Sequence, residues 1–264
     1  MTNTADVYIS ISAPPVVPRP HGLFSVAPPA PGGDHWEMGV RWINSPGCAL
    51  GAQFTIDECI NGTPPDPFEL DASYCDSIRL KPFSVYVYGR RSGPGSYDVA
   101  EAEINAILAA SEERAVENAL WQEMIAGGTP VDTPGTLLDA LAYVEYQLGR
   151  DYNGRGVIHM SRFAAIALSK ELFVSGAQLQ TRLGTPVVAG AGYGPPLAPG
   201  PPAAPPAEVT GFIFGTGELV SFRGPIDSNM AVDRAINDFI VLAQRPYTVG
   251  WDCALVQARV TATV

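Results

Sequence analysis

Proline placement constrains this chain more than any other feature. Pro14, Pro15, Pro18, Pro20, Pro28, Pro29 and Pro31 crowd the first 35 residues, and residues 194–206 hold seven prolines in thirteen positions. Each proline fixes φ and removes a backbone donor, so neither a helix nor a central strand is expected to run through such a stretch. Both segments are expected to be extended, in polyproline-like paths with little packing of their own. Residues 1–35 therefore read as an arm, with a short strand at 7–11, that settles only against neighbouring subunits.

The rest of the chain has the composition of a folded protein that covers its surface. Hydrophobic residues are 46% and charged residues only 16%, against roughly 25% charged in an ordinary soluble domain. A length of 264 residues suits one large domain or two modest ones. The net charge of −11 repels phosphate backbones and disfavours nucleic-acid binding as the main activity. Lys81 and Lys170 are the only lysines, so no polybasic patch forms. Cys48, Cys59, Cys75 and Cys253 lack the spacing of a zinc site, and only His21, His35 and His159 could assist them. They read as reduced thiols, with a disulfide inside 48–75 as the alternative in an oxidising compartment. Neither a secretory leader nor an apolar run of 18 residues is present, so a cytoplasmic start and no membrane span are expected.

Periodicity supplies the elements. Residues 36–42 and 83–88 alternate apolar and polar, and are expected to pair as a long hairpin around an irregular insertion carrying Pro64, Pro65 and Pro67. Residues 97–126 read as a long helix, started by Asp98 with Glu101 and stopped by Gly127 and Gly128. Its stripe is Ile104, Leu108, Ala115, Ala119 and Leu120, widened by Ile107 and Val116. A mixed region follows. It comprises a helix over 136–148 capped by Thr133, a strand at 156–160, a helix over 162–172 and a strand at 185–191. Strands at 212–214 and 219–222 then flank Gly215-Thr216-Gly217, and a helix over 232–242 precedes a final strand over 253–264.

Catalytic patterns are missing. No lysine follows a phosphate-cradling glycine run, Gly190-Ala191-Gly192 lacks the rest of a dinucleotide fingerprint, and neither G-x-S-x-G nor H-E-x-x-H occurs. His159 beside Ser161 reads as a hydrogen-bonded structural residue. Glu112, Glu113 and Glu117 with Arg114 read as a solvated or intersubunit charged face of the long helix. Trp36, Trp42, Trp121 and Trp251 read as core or interface anchors. The sequence thus nominates no catalytic, cofactor-binding or metal-ligating residue and no cofactor, and the chain is expected not to be an enzyme.

The order of parts, with the phrases SEERAVENALW (111–121), GRGVIHMSRFAA (154–165), LGTPVVAGAGY (183–193) and FGTGEL (214–219), resembles the major capsid proteins of tailed bacteriophages. Their Hong Kong 97 fold is shared with encapsulins. The resemblance runs from about Leu23 to Val264. It implies an α+β capsid fold with an N-terminal arm (1–35), an extended β-hairpin or E-loop (36–92) and a peripheral domain with a spine helix (93–134). An axial domain (135–231) with its loop at 194–206 and a closing segment (232–264) complete it. It further implies a virion subunit assembling into pentamers and hexamers of an icosahedral head, built in the bacterial cytoplasm around double-stranded DNA that is enclosed without sequence-specific binding. Portal, separate scaffolding and decoration proteins are the implied partners. Some relatives weld a hairpin lysine to an asparagine with help from a glutamate. Here Lys81 and Asn237 occupy suitable regions, but no glutamate follows Glu218, and no crosslink is expected. The competing readings are an encapsulin-type compartment, another virion component, or a small enzyme using His159.

Overall fold

The computed structural model describes residues 17, 19–32, 36, 39–43, 46–48, 77–92, 97–128, 131–132, 135–194, 208–233 and 238–263. The expected strand at 7–11, Cys59, Cys75, Asn237 and the 194–206 loop beyond Gly194 lie outside the described residues.

The architecture is organised by α2 (Tyr97–Ala126), whose 30 residues span about 45 Å at 1.5 Å per residue. Its buried line runs through Ala100, Ile104, Leu108, Glu112, Val116, Leu120 and Met124, in steps of four. At about 100° per residue each step advances some 40°, so the line winds roughly 240° around the helix between its ends. The helix therefore buries different faces along its length and can serve two sheets. Ile107, expected in the stripe, is exposed. Asp98 lies in the first turn rather than at the cap, where its charge complements the helix dipole. Gly127 ends the helix, its N–H reaching Glu123 O at 2.9 Å.

The first sheet is built on β13 (Asp238–Trp251). One edge pairs along its length with β4 (Phe83–Ser92). The other edge is shared end to end by β11 (Leu219–Arg223) and β12 (Asp227–Asp233), and β1 (Ala30–Pro31) adds to β11. Pro246 sits inside β13 without disrupting it. Its carbonyl accepts from Gly224 N at 3.0 Å, so its missing N–H faces the break between β11 and β12.

The second sheet has the order β5-β14-β10-β6-β9-β8-β7. Its members are β5 (Val131–Asp132), β6 (Val157–Ser161), β7 (Leu172–Ser175), β8 (Gln178–Thr181), β9 (Pro186–Gly190), β10 (Glu208–Thr216) and β14 (Leu255–Thr263). Period-two alternation splits its core. Val157, Val188 and Phe214 join the cluster around α2, while Ile158, Met160, Val187 and Ile213 pack with α3 (Leu137–Asp151) and α4 (Arg162–Ala167). A separate hairpin pairs β2 (Val40–Ile43) with β3 (Ser77–Leu80).

Several sequence expectations are corrected. The helix expected over 232–242 is the end of β12 and the start of β13. Phe239, Ile240 and Val241 are good strand formers, and pairing along both edges of β13 overrides the local helical spacing. The hairpin expected between 36–42 and 83–88 does not form: β4 pairs with β13, and β2 pairs with β3. The helix expected over 162–172 stops at Ala167 and is followed by a β7–β8 hairpin, whose turn places Gly176 at φ +62°. The cap of α3 is Thr136, in a capping box with Asp139, rather than Thr133. In the proline-rich arm, the proline-free window between Pro20 and Pro28 forms a short helix, α1 (Leu23–Val26). The cysteines are not all reduced: Cys48 and Cys253, 205 residues apart, form a disulfide. The α+β class stands.

The alternation in β13 gives a direct check. Val241 is buried and Ile240 is largely exposed. Val241→Asp is expected to lower subunit stability by about 3–5 kcal/mol, and Ile240→Asp by about 1 or less. Urea denaturation of the two variants measures both, and comparable losses would contradict the strand register.

Candidate functional site

The polar groups of the chain converge on the middle of α2. Glu112 falls on the buried line of the helix and faces the first sheet. Its carboxylate accepts from Arg245 Nη1 at 2.7 Å and from Arg223 Nη1 at 3.4 Å. Tyr247, fully buried beside them between the rings of Phe24 and Phe83, has its hydroxyl pushed well above its ordinary pKa by burial and by Glu112, so it stays protonated. Arg245 partly offsets that shift.

One turn further on, Glu117 is almost completely buried. Its Oε1 accepts from Leu23 N at 3.0 Å and its Oε2 from Gly192 N at 2.8 Å. Burial raises the Glu117 pKa above the usual carboxylate range, and the two backbone donors pull it back. Glu113 adds a bond from Phe24 N at 2.8 Å, Asn118 Nδ2 donates to Gly192 O at 2.9 Å, and Gln122 Nε2 donates to Gly194 O at 3.2 Å. About three consecutive turns of one helix thus grip two irregular segments by their backbones.

The first gripped segment is the inner part of the proline-rich arm. Leu23 is fully buried in the α2 core. The carbonyl of His21 accepts from Ala189 N at 2.9 Å, that of Pro20 from Arg162 Nη1 at 3.2 Å, and that of Ser25 from Gln178 Nε2 at 3.4 Å. Residues 20–31 therefore strap the subunit's own two sheets together, and the expectation that the arm settles only against neighbours is corrected for this stretch. Prolines that cannot donate are well suited to a strap in which the N–H groups of Leu23 and Phe24 and the carbonyls of Pro20, His21 and Ser25 are met by the body. The expectation of a solvated face for Glu112, Glu113 and Glu117 is corrected as well. Glu112 lies four residues after Leu108 and four before Val116, which is the sequence signal for its burial. The roles of Asn118 and Gln122 have no such signal.

The second segment leads to His159. This residue is central in β6 and fully buried. Its Nδ1 lies 2.7 Å from Tyr193 Oη and its Nε2 3.0 Å from Thr216 Oγ1. Burial holds the Tyr193 hydroxyl well above its ordinary pKa, so it donates to Nδ1. Nε2–H then donates to Thr216, whose hydroxyl donates to Gly217 O at 2.9 Å. Tyr193 in turn stacks on Trp121 at 4.8 Å. Burial depresses the His159 pKa to about 3, leaving a neutral ring with both nitrogens occupied, which is the structural role expected for it. Ser161 is engaged elsewhere, capping α4 through Ala164 N at 3.2 Å.

Neither of two surface openings among the described residues brings a reactive set together. A cavity of about 530 Å³ lies between α2 and the β3–β4 link and is lined by Leu80, Lys81, Phe83, Glu123 and Trp251. Another of about 580 Å³ beside the strap is lined by Arg19, Ala109, Arg114 and Arg162. Among the described residues no cluster of three or more His, Cys, Asp or Glu side chains could hold a metal. The arrangement is built for fixing backbone segments.

Two consequences are measurable. Glu117→Gln turns one acceptor into a donor facing a backbone donor, so stability is expected to fall by about 2 kcal/mol. Amide exchange at Leu23 and Phe24 should then accelerate at least tenfold, as read by mass spectrometry. For His159, the unfolded chain takes up a proton as pH falls through about 6.5, whereas the folded chain does not until about 3. Stability is therefore full above pH 6.5 and is lost as pH falls through that window. Glu113 and Glu117, with raised folded values, act in the opposite sense, so the comparison is made against a variant. From pH 7.5 to 5.0 the wild-type chain is expected to lose about 2 kcal/mol more than His159→Gln, measured by denaturant titration at each pH.

Neither a protein-family model nor a curated protein matches the chain. Solved structures do. The chain is similar to one in the capsid of a native GTA particle, with a TM-score of 0.56 and 15% identity over 98% of this chain and 96% of that one. It is also similar to a chain from Microbacterium phage Oxtober96, with a TM-score of 0.50 and 11% identity over 98% of this chain and 95% of that one. The chain has the α+β fold of a capsid protein.

Proposed function

We propose that this chain is the major capsid subunit of a tailed bacteriophage, assembling into pentamers and hexamers of an icosahedral head that encloses double-stranded DNA. The observation that carries this reading is the capsid-protein fold, matched over 98% of the chain. The surface supports it. Tyr86 and Tyr88 stack on each other, 61% and 67% exposed, and Ile240 lies on the same face of the first sheet. Phe163 and Ile166 of α4 are also exposed. A low-charge chain that leaves such residues uncovered is suited to a shell in which neighbours bury them.

In this reading residues 1–35 form the N-terminal arm, 36–92 the E-loop region and 93–134 the peripheral domain, with α2 as its spine. Residues 135–231 form the axial domain and 232–264 the closing segment. Because β13 shares a sheet with β4 and packs on α2, the closing segment returns to the peripheral side. Assembly takes place in the bacterial cytoplasm with portal, separate scaffolding and decoration proteins as partners. The net charge of −11 suits a wall that repels packaged DNA instead of gripping it. No helix among the described residues is long and apolar enough to cross a membrane.

Negative-stain microscopy of the purified protein is expected to show closed shells or their capsomers. A protein that stays monomeric at high concentration by light scattering would rule the reading out. The strap refines the role of the arm. Removing residues 1–18 is expected to leave subunit stability unchanged and to weaken assembly, whereas removing residues 1–31 takes away Leu23 and is expected to cost about 3 kcal/mol or more of subunit stability. Melting curves and shell yields of the two truncations separate the effects.

A further inference from the structure

Besides the passage through α2, the chain crosses between its two sheets by two short links, from β10 to β11 and from β13 to β14, and these two are stitched together. Gly217 N donates to Ala254 O at 3.0 Å and Asp252 N donates to Glu218 O at 2.9 Å. Tyr152 Oη donates to Asp252 Oδ2 at 3.1 Å and accepts from Glu218 N at 3.2 Å, and Asp252 Oδ1 accepts from Cys253 N at 3.0 Å. A side chain at Gly217 would meet the Asp252 carbonyl at 2.6 Å, so only glycine permits this approach. Cys253 therefore sits on a rigid platform.

Its partner marks an attachment point of the β2–β3 hairpin. Cys48 ends the short 3-10 turn Pro46–Cys48 that follows β2, on the connection to β3, and packs against the core cluster under α3. Besides the disulfide, this hairpin root is held by Asn153 N donating to Gly47 O at 2.7 Å, while the open end of the hairpin is held by Leu80 seated beside Gly250. Breaking the bond would loosen this attachment and leave the platform intact. Both cysteines are only half-buried, so small thiols and disulfides can reach them.

Resting on the shell-subunit reading, we propose that Cys48–Cys253 is a redox latch, open during synthesis and assembly and closed in the finished particle to fix the hairpin root to the sheet crossover. The bacterial cytoplasm keeps thiols reduced, and the latch closes once the particle meets an oxidising medium. With glutathione disulfide as oxidant, the Cys48 thiolate attacks one of its sulfurs and releases one glutathione thiolate. The Cys253 thiolate then attacks the Cys48 sulfur of the mixed disulfide and releases the second. Two protein thiols are oxidised, one small disulfide is reduced, and both protons end on glutathione. In a shell subunit, an attachment point that stays loose lets the hairpin adjust to neighbours during assembly, and fixing it afterwards stabilises the finished contacts.

The test uses the full chain in a Cys59→Ser, Cys75→Ser background, which removes alternative pairings. Subunits alkylated at the moment of lysis are expected to carry free Cys48 and Cys253. Subunits oxidised with glutathione disulfide before assembly are expected to form shells at least tenfold more slowly than reduced ones by light scattering. Amide exchange in 40–43 and 77–80 is expected to slow at least tenfold when assembled shells are oxidised, with no change at 252–254. Cys48→Ser and Cys253→Ser should each behave as the reduced protein whatever the oxidant; if either fails to fold, dithiothreitol treatment of the parent gives the same reading. A disulfide already closed at lysis, equal assembly rates in both redox states, or unchanged exchange at the hairpin root would each overturn the latch and leave the shell reading standing. No shell in either state would overturn the shell reading itself.

Discussion

The rest of the structure depends on the burial of Glu117. A carboxylate taken out of water costs several kcal/mol unless its oxygens are fully engaged, and here each oxygen accepts from a backbone N–H on a different irregular segment. Such charge-assisted bonds are roughly twice as strong as neutral ones. A leucine at this position would be cheaper to bury, but would leave Leu23 N and Gly192 N without acceptors. The carboxylate thus specifies where the strap and the 191–194 segment lie, more than it adds stability. Because Leu23 follows from that placement, the α2 core is complete only when the strap is seated.

The winding of the buried line on α2 explains why such devices are needed. A helix that turned one face to one sheet could be held by an apolar stripe alone. This one engages Val85, Val241 and Ala243 of the first sheet and Val157, Val188 and Phe214 of the second in the same cluster, so its flanks pass over the seam between them. The seam is where backbone groups lack sheet partners. Glu113, Glu117, Asn118 and Gln122 fill that gap, Arg223 and Arg245 close on Glu112, and His159 with Thr216 closes the far side near Gly217. The Cys48–Cys253 bond extends the same logic to the hairpin, since a crosslink spanning 205 residues restricts the unfolded chain by roughly 5 kcal/mol in the loop-entropy picture.

Much of this was legible in the sequence, and the gaps have physical causes. The long helix, β6, β9 and β14 follow from periodicity and from the Gly127-Gly128 stop, and the capsid fold follows from the order of parts with a few phrases. The 232–242 region misled because Val232, Phe239 and Ile240 suit a helix face locally, and the pairing that decides the matter comes from β4, about 150 residues earlier. The 48–253 disulfide was hidden for the same reason: cysteine spacing cannot report contacts made by topology. The buried glutamates were misjudged because charge was taken as a sign of solvent. For Glu112 the spacing of four from Leu108 and from Val116 argues otherwise.

That last point bears on how a structural cluster of buried polar groups is told apart from a catalytic one. Buried glutamates, a buried histidine with a depressed pKa and a tyrosine that cannot ionise are the features by which active sites are sought. Here each is saturated by a partner: Glu117 by two backbone amides, His159 by Tyr193 and Thr216, Tyr193 by His159 and Trp121. A catalytic group must keep one position open for substrate, and these keep none. Their pKa shifts are a by-product of desolvation at a structural seam. The difference between seam and active site lies in vacancy, and it is read from hydrogen-bond partners and not from the size of a shift.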